Sequence, residues 1–213
     1  MNPARVYDNT EISPGVFVLS FARSFSFIPG QVISLAVRPD DTPRLYSIAS
    51  GKDEPVVRLL YQRTSPGSLT WKMSGLVRGD TVFVSDPFGQ FTLDDQPALC
   101  IAAGTGIAPF LSCFHSGLMN NKVLIHGARY LHSFHFQELL ALAMNQRYVR
   151  CCSAEKDPLV FHGRLTDYLR EKNNFPADQK CYLCGGTEMV VEARDILISK
   201  GVPNKNILSE IYF

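Results

Sequence analysis

Three side chains in the stretch RLYSIAS at residues 44–50 have the chemistry to bind a phosphorylated aromatic ligand. The guanidinium of Arg44 suits a phosphate, which it binds with a forked pair of hydrogen bonds, and the ring of Tyr46 offers a flat face for stacking. The hydroxyl of Ser47 can bond a ring nitrogen. Each residue alone equally fits an ordinary strand, with Arg44 at the surface and Tyr46 in the core.

A glycine-rich turn stands in AAGTGIAPF at residues 102–110. Gly104 and Gly106 let the backbone approach a pyrophosphate closely, and Thr105 adds a hydroxyl where a strand passes into a helix. Pro109 replaces the third glycine of the usual G-x-G-x-x-G dinucleotide fingerprint. A tight turn between a strand and a helix needs the same glycines, so the stretch alone leaves a purely structural interpretation open.

Cysteines and histidines are spaced suggestively at two places, but neither predicts a metal site. Cys181-x-x-Cys184 has no second cysteine pair at a zinc spacing, and its segment has the pattern of a buried strand. His126, His132 and His135 have no carboxylate in register with them. We therefore expect solvent-exposed histidines and no bound metal.

Short strands must position the first stretch. Up to about residue 96, β-branched and aromatic residues cluster or alternate in short runs between turn formers such as Pro29-Gly30, and only residues 69–76 have a helical pattern. This spacing predicts an antiparallel barrel or sandwich. The predicted strands are GVFVLSF (15–21), QVISLAV (31–37), RLYSIAS (44–50), VVRLLYQ (56–62) and TVFVSD (81–86).

Strands and helices alternate after residue 96, which predicts right-handed crossovers and a parallel sheet with helices on both faces. The predicted strands are PALCIAAG (97–104), KVLIHGARY (122–130), YVRCCSAEK (148–156), KCYLCGG (180–186) and NILSEIYF (206–213), and the predicted helices span 109–119, 133–145, 165–172 and 189–200. The sequence therefore predicts two domains, a β-barrel over 1–96 and an α/β domain over 97–213.

Composition excludes several classes of protein. The chain has 213 residues, 46% of them hydrophobic, and a formal net charge of +1. Neither half is strongly basic, so the chain lacks the basic field of a nucleic-acid binder. Its apolar runs are far shorter than the ~20 residues of a membrane span. The N-terminus lacks signal-peptide character, and six cysteines without a regular framework suit a reducing compartment. We expect a cytoplasmic protein.

The chain resembles the ferredoxin–NADP reductase family, because a series of motifs occurs in the family's order. RLYSIAS resembles the flavin-binding RxYS motif, and AAGTGIAPF is close to the plant-type members. The further motifs are FIPGQ (27–31), GSLT (67–70), DPFGQF (86–91), HGARY (126–130), CGG (184–186) followed by Met189, and Glu-x-Tyr (210–212). A set of motifs in this order is far more specific than any one of them.

This resemblance implies a bound FAD. Arg44 would bind its pyrophosphate, Tyr46 would stack on the isoalloxazine, and Ser47 would bond near N5, where the hydride arrives. Ser68 and Thr70 would hold the phosphates, and either Tyr212 or Phe213 would cover the other flavin face. The residues expected to contact the flavin are Arg44, Leu45, Tyr46, Ser47, Leu60, Gly67, Ser68, Leu69, Thr70, Tyr212 and Phe213.

The resemblance also implies a nicotinamide nucleotide as co-substrate. Cys184 would lie beside nicotinamide C4 and Glu210 would complete the active site, so Ser47, Cys184 and Glu210 are the predicted catalytic residues. The residues expected to bind the nucleotide are Gly104, Thr105, Gly106, Pro109, Arg129, Ser153, Lys156, Arg164, Gly185 and Met189.

The chain departs from the plant-type pattern where those enzymes grip the 2′-phosphate of NADP. Their Ser-Arg pair is Ser153-Ala154 here, and Val160 stands near the position of their tyrosine. A dianionic phosphate needs cations, so the missing arginine favours NADH or dual use, although Lys156, Arg150 or Arg164 could substitute.

The function implied is an FAD-dependent NAD(P)H oxidoreductase that exchanges electrons with a one-electron carrier, ferredoxin or flavodoxin. Two alternatives remain open within the enzymes: the reductase component of an oxygenase system, and an NAD(P)H-dependent flavin or ferric reductase. An alternative of another class is a non-catalytic nucleotide-binding or electron-transfer subunit of a larger complex. From the charge and the short apolar runs we expect no nucleic-acid or membrane partner.

Overall fold

The computed structural model describes residues 1–173, 175–176 and 178–212. The chain forms two compact units, of which the first comprises 1–93 and 108–118 and the second 94–107 and 119–213. No helix in the described parts of the chain is long and apolar enough to cross a membrane.

The first unit is built on an antiparallel six-stranded sheet in the order β4-β3-β6-β1-β2-β5. An antiparallel bridge between Ile48 and Leu59, extended by a 2.8 Å hydrogen bond from Ala49 N to Arg58 O, joins the two outer strands and closes the sheet into a barrel. Its elements are β1 (Asn2–Ser13), β2 (Val16–Ala22), β3 (Val32–Ala36), β4 (Arg44–Ser47), β5 (Val56–Gln62), α1 (Leu69–Ser74), β6 (Thr81–Val84) and α2 (Ala108–His115).

Every second side chain along the barrel strands points inward, and these side chains fill the barrel. Val57, Leu59 and Tyr61 of β5 all enter one buried cluster that also contains residues of the other strands and of α1. Because one face of each strand is buried this way, the register of the barrel is fixed by its hydrophobic pattern.

β1 is a strand that the sequence pattern does not predict. It pairs with β2 and β6, and Ala4 and Val6 enter the barrel core. Residues such as Asp8 and Asn9, which are depleted in strands, occupy its middle and obscure the alternation.

The second unit contains a parallel six-stranded sheet in the order β10-β9-β8-β7-β11-β12. The strand order reverses between β7 and β11, and ligands of open α/β sheets bind at the carboxyl edge of such a reversal. The elements are β7 (Ala98–Ala103), β8 (Lys122–Ala128), α3 (Gln137–Met144), β9 (Tyr148–Cys152), β10 (Phe161–His162), α4 (Leu165–Glu171), β11 (Lys180–Gly186), α5 (Thr187–Ser199) and β12 (Ile207–Tyr212).

Helices cover both faces of this sheet. Leu165 and Leu169 of α4 pack with Leu197 of α5 over one face, in a cluster that also takes Cys151 from β9. On the other face Phe134, just before α3, packs against Cys152. α3 begins at Gln137, later than the pattern predicts, because residues 131–133 form a separate 3₁₀ turn and Phe136 takes a φ of +61°.

Candidate functional site

The residues of RLYS lie on β4 as predicted, with Arg44 at the end where the strand begins. Arg44 and Tyr46 share one face of the strand. Tyr46 enters the barrel core, whereas Arg44 is exposed. Leu45 is 60% exposed on the opposite face, and Ser47 is buried. The strand therefore presents a cation at its end and a phenol inside the barrel.

The hydroxyl of Tyr46 is a buried polar atom with no hydrogen-bond partner among the described residues. Tyr46 is only 9% exposed, and burial raises its pKa to about 12, with the charge of Arg44 acting weakly in the opposite direction. A buried hydroxyl without a partner is costly. A ligand or water that bonds this hydroxyl would relieve that cost.

Three hydroxyls form a cluster where α1 begins. Ser68 caps α1 by accepting from Trp71 N at 3.1 Å, and Thr64 Oγ1 lies 2.9 Å from Ser68 Oγ and 2.8 Å from Thr70 Oγ1. Gly67 has a φ of +85° with open space where a side chain would stand. The predicted residues Gly67, Ser68 and Thr70 are thus brought together, and Thr64 joins them without having been predicted.

Two other residues that were predicted to contact the flavin, Leu60 and Leu69, are buried. Leu69 packs into the barrel core as part of α1. Leu60 is 3% exposed although it faces away from the strand side that carries Leu59 and Tyr61. Phe213 lies outside the described residues.

A polar network that the sequence does not predict fixes α1 against the barrel. Tyr61 donates to Asn9 Oδ1 at 3.0 Å, and the ring of Tyr61 stacks on Phe17 with centroids 5.3 Å apart. Asn9 Nδ2 in turn donates to Met73 O at 2.9 Å and Leu76 O at 3.1 Å, at the end of the helix. Asparagine in a strand carries no periodic signal, so only the structure reveals this role.

The glycine turn of the second unit forms a 3₁₀ turn, Gly104–Ile107, directly after β7. Gly104 has a φ of +57° and open space around it. A Cβ on Gly106 would lie 2.3 Å from Cys184 O, so this glycine is required by the close approach of the turn to β11. Thr105 lies between them, and Pro109 is buried in α2 of the first unit.

Cys184 and Glu210 meet at the carboxyl edge of the sheet, beside this turn. They are opposite one another in the parallel pairing of β11 and β12, and Cys184 Sγ donates to Glu210 Oε2 at 3.9 Å. Cys184 is fully buried, and burial, together with the carboxylate of Glu210, raises the pKa of the thiol well above its usual value. The thiol therefore stays protonated as a neutral donor.

Gly185 and Met189 lie next to this pair. Gly185 has a φ of +154°, and a side chain there would meet Met189 Cε at 2.5 Å. Cys181 enters the core on the opposite sheet face, so it does not pair with Cys184. Tyr212 is aligned with Gly186 in the same strand pair.

The predicted coenzyme-selecting residues lie at the ends of β8 and β9. Ala154 N donates to Arg129 O at 3.0 Å, which holds the two strand ends together, and Ser153, Lys156 and Arg129 are exposed. Glu155, which was not predicted, accepts from Leu131 N at 2.6 Å. Arg164 is also exposed, before α4, with its guanidinium 3.8 Å from the Glu192 carboxylate.

The prediction of exposed histidines is wrong for two of the three. His126 is fully buried because β8 lies between β7 and β9, and His135 is also buried; His132 is exposed. Tyr148 Oη lies 2.9 Å from His126 Nδ1, and burial lowers the pKa of His126 to about 3. Within the described residues, no group of His, Cys, Asp and Glu is arranged to hold a metal ion.

Comparison with known proteins shows what this chain is similar to. Residues 100–195 match the family model of the oxidoreductase NAD-binding domain. Ferredoxin–NADP reductase of Azotobacter vinelandii is 28% identical over 84% of this chain and 81% of its own length. In sequence and in fold, the chain is similar to the ferredoxin–NADP reductases. The fold is similar to that of a ferredoxin NADP⁺ reductase from Neisseria gonorrhoeae, solved with bound FAD and NADP, with a TM-score of 0.87. The superposition covers 100% of this chain and 98% of the Neisseria chain, and the two sequences are 20% identical.

Members of the ferredoxin–NADP reductase family thus share the fold, and the prediction of an antiparallel barrel followed by a parallel-sheet domain is confirmed. The electron transfer component of toluate 1,2-dioxygenase from Pseudomonas putida is 28% identical over 87% of this chain. The chain spans 58% of that relative's length, and similarly 57% and 60% of two further reductase components.

Proposed function

We propose that this chain is an FAD-dependent oxidoreductase that transfers a hydride between NAD(P)H and the flavin, and electrons to or from a one-electron carrier such as ferredoxin or flavodoxin. The observation that carries the proposal is the Cys184–Glu210 pair at the carboxyl edge of the sheet, beside a turn that approaches the backbone of β11. In this proposal residues 1–96 bind FAD, residues 97–213 bind NAD(P), and the protein is cytoplasmic.

The barrel residues fit a phosphorylated flavin. The partnerless hydroxyl of Tyr46 supports a ligand that accepts a hydrogen bond inside the site. Arg44 would neutralise the pyrophosphate, and the hydroxyls of Ser68 and Thr70 would donate to it. Ser47 would hydrogen-bond the ring system from the buried end of β4.

The edge of the parallel sheet fits a nicotinamide nucleotide. The turn is open at Gly104, where a side chain would meet nothing within 4 Å, and pyrophosphates bind at such turns. Gly185 and Met189 would line the nicotinamide end of the site, and Arg129 and Ser153 the adenosine end.

The flavin, when bound, would supply the redox chemistry, since a flavin can accept one hydride, with its electron pair, and release the two electrons singly. The protein's part is to orient the ligands and to hold protons. Cys184 keeps its thiol proton because burial raises its pKa. The neutral thiol is a poor nucleophile, so it would not attack the nicotinamide ring. Glu210 accepts from that thiol and fixes its direction. Tyr212 would cover the flavin until nucleotide binds.

For the coenzyme we propose NADH or dual use. Arg164 lies against Glu192, and Glu155 adds a carboxylate near Ser153, so the exposed cations Arg129 and Lys156 are partly offset at this rim. A 2′-phosphate would therefore gain less here than at an arginine-lined site. The ratio of kcat/KM for NADH to that for NADPH measures the preference.

A second function, the reductase component of an oxygenase system, is favoured by the relatives. The Pseudomonas putida relative is an electron transfer component of a dioxygenase. In this case the carrier would be an oxygenase or its ferredoxin. Stopped-flow reduction of the chain, followed by mixing with ferredoxin, flavodoxin, free FMN or ferric chelate, separates the candidates by the rate of reoxidation.

The decisive experiment is purification of the full chain with FAD, followed by an anaerobic titration with NADH and NADPH. We expect a bound yellow flavin whose visible absorbance is bleached by stoichiometric NADH or NADPH. A chain that binds no flavin, or a bound flavin that neither nucleotide reduces, would contradict the proposal.

A further inference from the structure

Arg63, directly after β5, is a cation outside the set of residues that sequence and resemblance assign to the flavin. Its guanidinium carbon lies 5.6 Å from the ring centre of Phe17 and 5.3 Å from that of Trp71, within the ~6 Å range of cation–π attraction. Its backbone N–H donates to Gly15 O at 2.7 Å. The side chain is thus positioned by two aromatic rings.

No carboxylate neutralises this guanidinium in the parts of the chain that the structure describes, because the ion pairs found there involve other cations. Arg63 is exposed, and Trp71 is 44% exposed, so the positioned charge faces accessible surface. Aromatic stacking leaves the N–H groups at the edge of the guanidinium available for an anion.

The hydroxyl cluster adjoins this cation. Thr64 N donates to Thr70 Oγ1 at 3.1 Å, and the two hydroxyl oxygens are 2.8 Å apart. These bonds hold residues 63–64 beside residues 70–71, in agreement with the contact between Arg63 and Trp71. Thr64 donates its hydroxyl proton to Ser68, so Ser68 and Thr70 are the hydroxyls that could turn a proton toward an anion next to this positive charge. Phosphate oxygens are the ligand atoms that this combination recognises.

The barrel register brings a second arginine to the same end of the neighbouring strand. The bridge between Ile48 and Leu59 sets an antiparallel register between the chain of β4 and β5. Arg44 precedes Ile48 and Arg63 follows Leu59, so in this antiparallel arrangement both chain segments run toward the same end of the barrel. The two cations therefore stand at the same end of the barrel seam, one on each side.

We propose that Arg63 is the second cation of a diphosphate site and selects FAD over FMN. It has this role only if the barrel binds a flavin, as proposed above. A pyrophosphate carries two anionic groups, so it can engage Arg44 and Arg63 together. FMN has a single phosphate and gains little from a second cation.

The test measures flavin binding to the full-length apoprotein, from which flavin has been removed, and does not depend on turnover. FAD and FMN are titrated separately, and dissociation constants are obtained from flavin fluorescence and calorimetry. Arg63→Ala should weaken FAD binding on the order of tenfold or more, since a charge-assisted contact is lost, and FMN binding less than about twofold. Arg63→Lys, which keeps the charge but not the fork, should give a smaller loss for FAD.

Arg78→Ala is the matched control, because Arg78 is also an exposed arginine over an aromatic ring, 4.7 Å from the centre of Tyr7. It should leave both flavin affinities unchanged. If Arg63→Ala does not fold, the ratio of FAD to FMN affinity in Arg63→Lys still carries the test.

The outcomes separate the two proposals. An unchanged FAD affinity in the Arg63 variants would overturn the role of Arg63 and leave flavin binding intact. Equal weakening of FAD and FMN would overturn the selection, because it would assign Arg63 to the site as a whole. A wild-type chain that binds neither flavin would contradict the proposed function itself.

Discussion

The two units present their candidate sites in different ways. In the barrel the site consists of side chains, with Arg44 and Tyr46 on β4 and the hydroxyls of Thr64, Ser68 and Thr70 at α1. At the edge of the parallel sheet it consists largely of bare backbone, where glycines replace side chains at 104, 106 and 185.

This difference matches two kinds of ligand binding. Side chains held by stacking and hydrogen bonds give many charge-assisted contacts, which suits a cofactor that stays bound. A backbone surface with few charged contacts suits a co-substrate that must leave after each turnover. The variants below test this distinction, from the largest expected effect to the smallest.

Gly106→Ala should be the most damaging change. The new Cβ would lie 2.3 Å from Cys184 O and 2.6 Å from its carbonyl carbon, and neither backbone atom can move aside cheaply. We expect a loss of about 3 kcal/mol in the free energy of unfolding, measured by chemical denaturation, and loss of nucleotide binding. Gly104→Ala has open space and only a φ of +57° to overcome, so its cost should be about 1 kcal/mol. Equal losses for both variants would contradict the close-approach argument.

Glu210→Gln should slow the chemical step more than it weakens binding. The carboxylate that accepts from Cys184 would be replaced by a neutral amide, so the rate of flavin reduction in single-turnover stopped flow should fall about a hundredfold. The Kd for nucleotide should change less than about threefold, the sign of a group that acts in the transition state. Cys184→Ala should behave similarly. Glu188→Gln, an exposed carboxylate on α5, is the control, and parallel losses in rate and affinity would show that Glu210 is misplaced.

Arg44→Ala should weaken FAD binding by about thirtyfold and leave the nucleotide affinity of the second unit unchanged. The reason is that Arg44, an exposed cation at the end of the barrel, would pair with the FAD pyrophosphate in the proposed site. Fluorescence titration at two salt concentrations measures the loss, which should shrink at high ionic strength because salt screens exposed charges. Arg38→Ala, in the preceding loop, should have no effect. A salt-independent loss would indicate a structural role for Arg44 instead.

His126 should make the chain sensitive to acid. Its folded pKa of about 3 lies below the 6.5 of an ordinary histidine, so its contribution to stability is complete above pH 6.5 and is lost as the pH falls toward 3. Between pH 7 and 5.5 the free energy of unfolding should fall by about 1 kcal/mol. His126→Gln should flatten this part of the pH profile, whereas His162→Gln, at an exposed position, should not. An identical slope in wild type and His126→Gln would exclude His126 as the source.

Much of the fold was predictable because short-range patterns specify it. β-branched alternation predicted β2 to β6, and the change to alternating strands and helices predicted the parallel sheet. β1 was not predictable from pattern, because Asp8 and Asn9 interrupt it. Asn9 is kept there by the hydrogen bonds it makes to the end of α1, which lies 64 residues further along the chain.

The residues of the candidate sites were less predictable from the sequence than the fold. The turn at Gly104–Gly106 could be found from the residues, whereas the roles of Cys184 and Glu210 came only from the family resemblance and stay predictions. Nothing local in the sequence relates these two residues, because their meeting depends on the parallel pairing of β11 with β12. The prediction that His126 is exposed was wrong for the same reason. Its burial results from the pairing of β8 with β7 on one side and β9 on the other, which the local sequence does not reveal.

By itself, the sequence determined the type and order of the elements and the motifs that identify the family, because periodicity and turn chemistry act between residues near in the chain. Tertiary structure alone decided which distant groups meet: Arg63 with Trp71, Thr64 with Thr70, and Cys184 with Glu210. These contacts arise from strand register and packing, which are properties of the whole folded chain and not of any one segment.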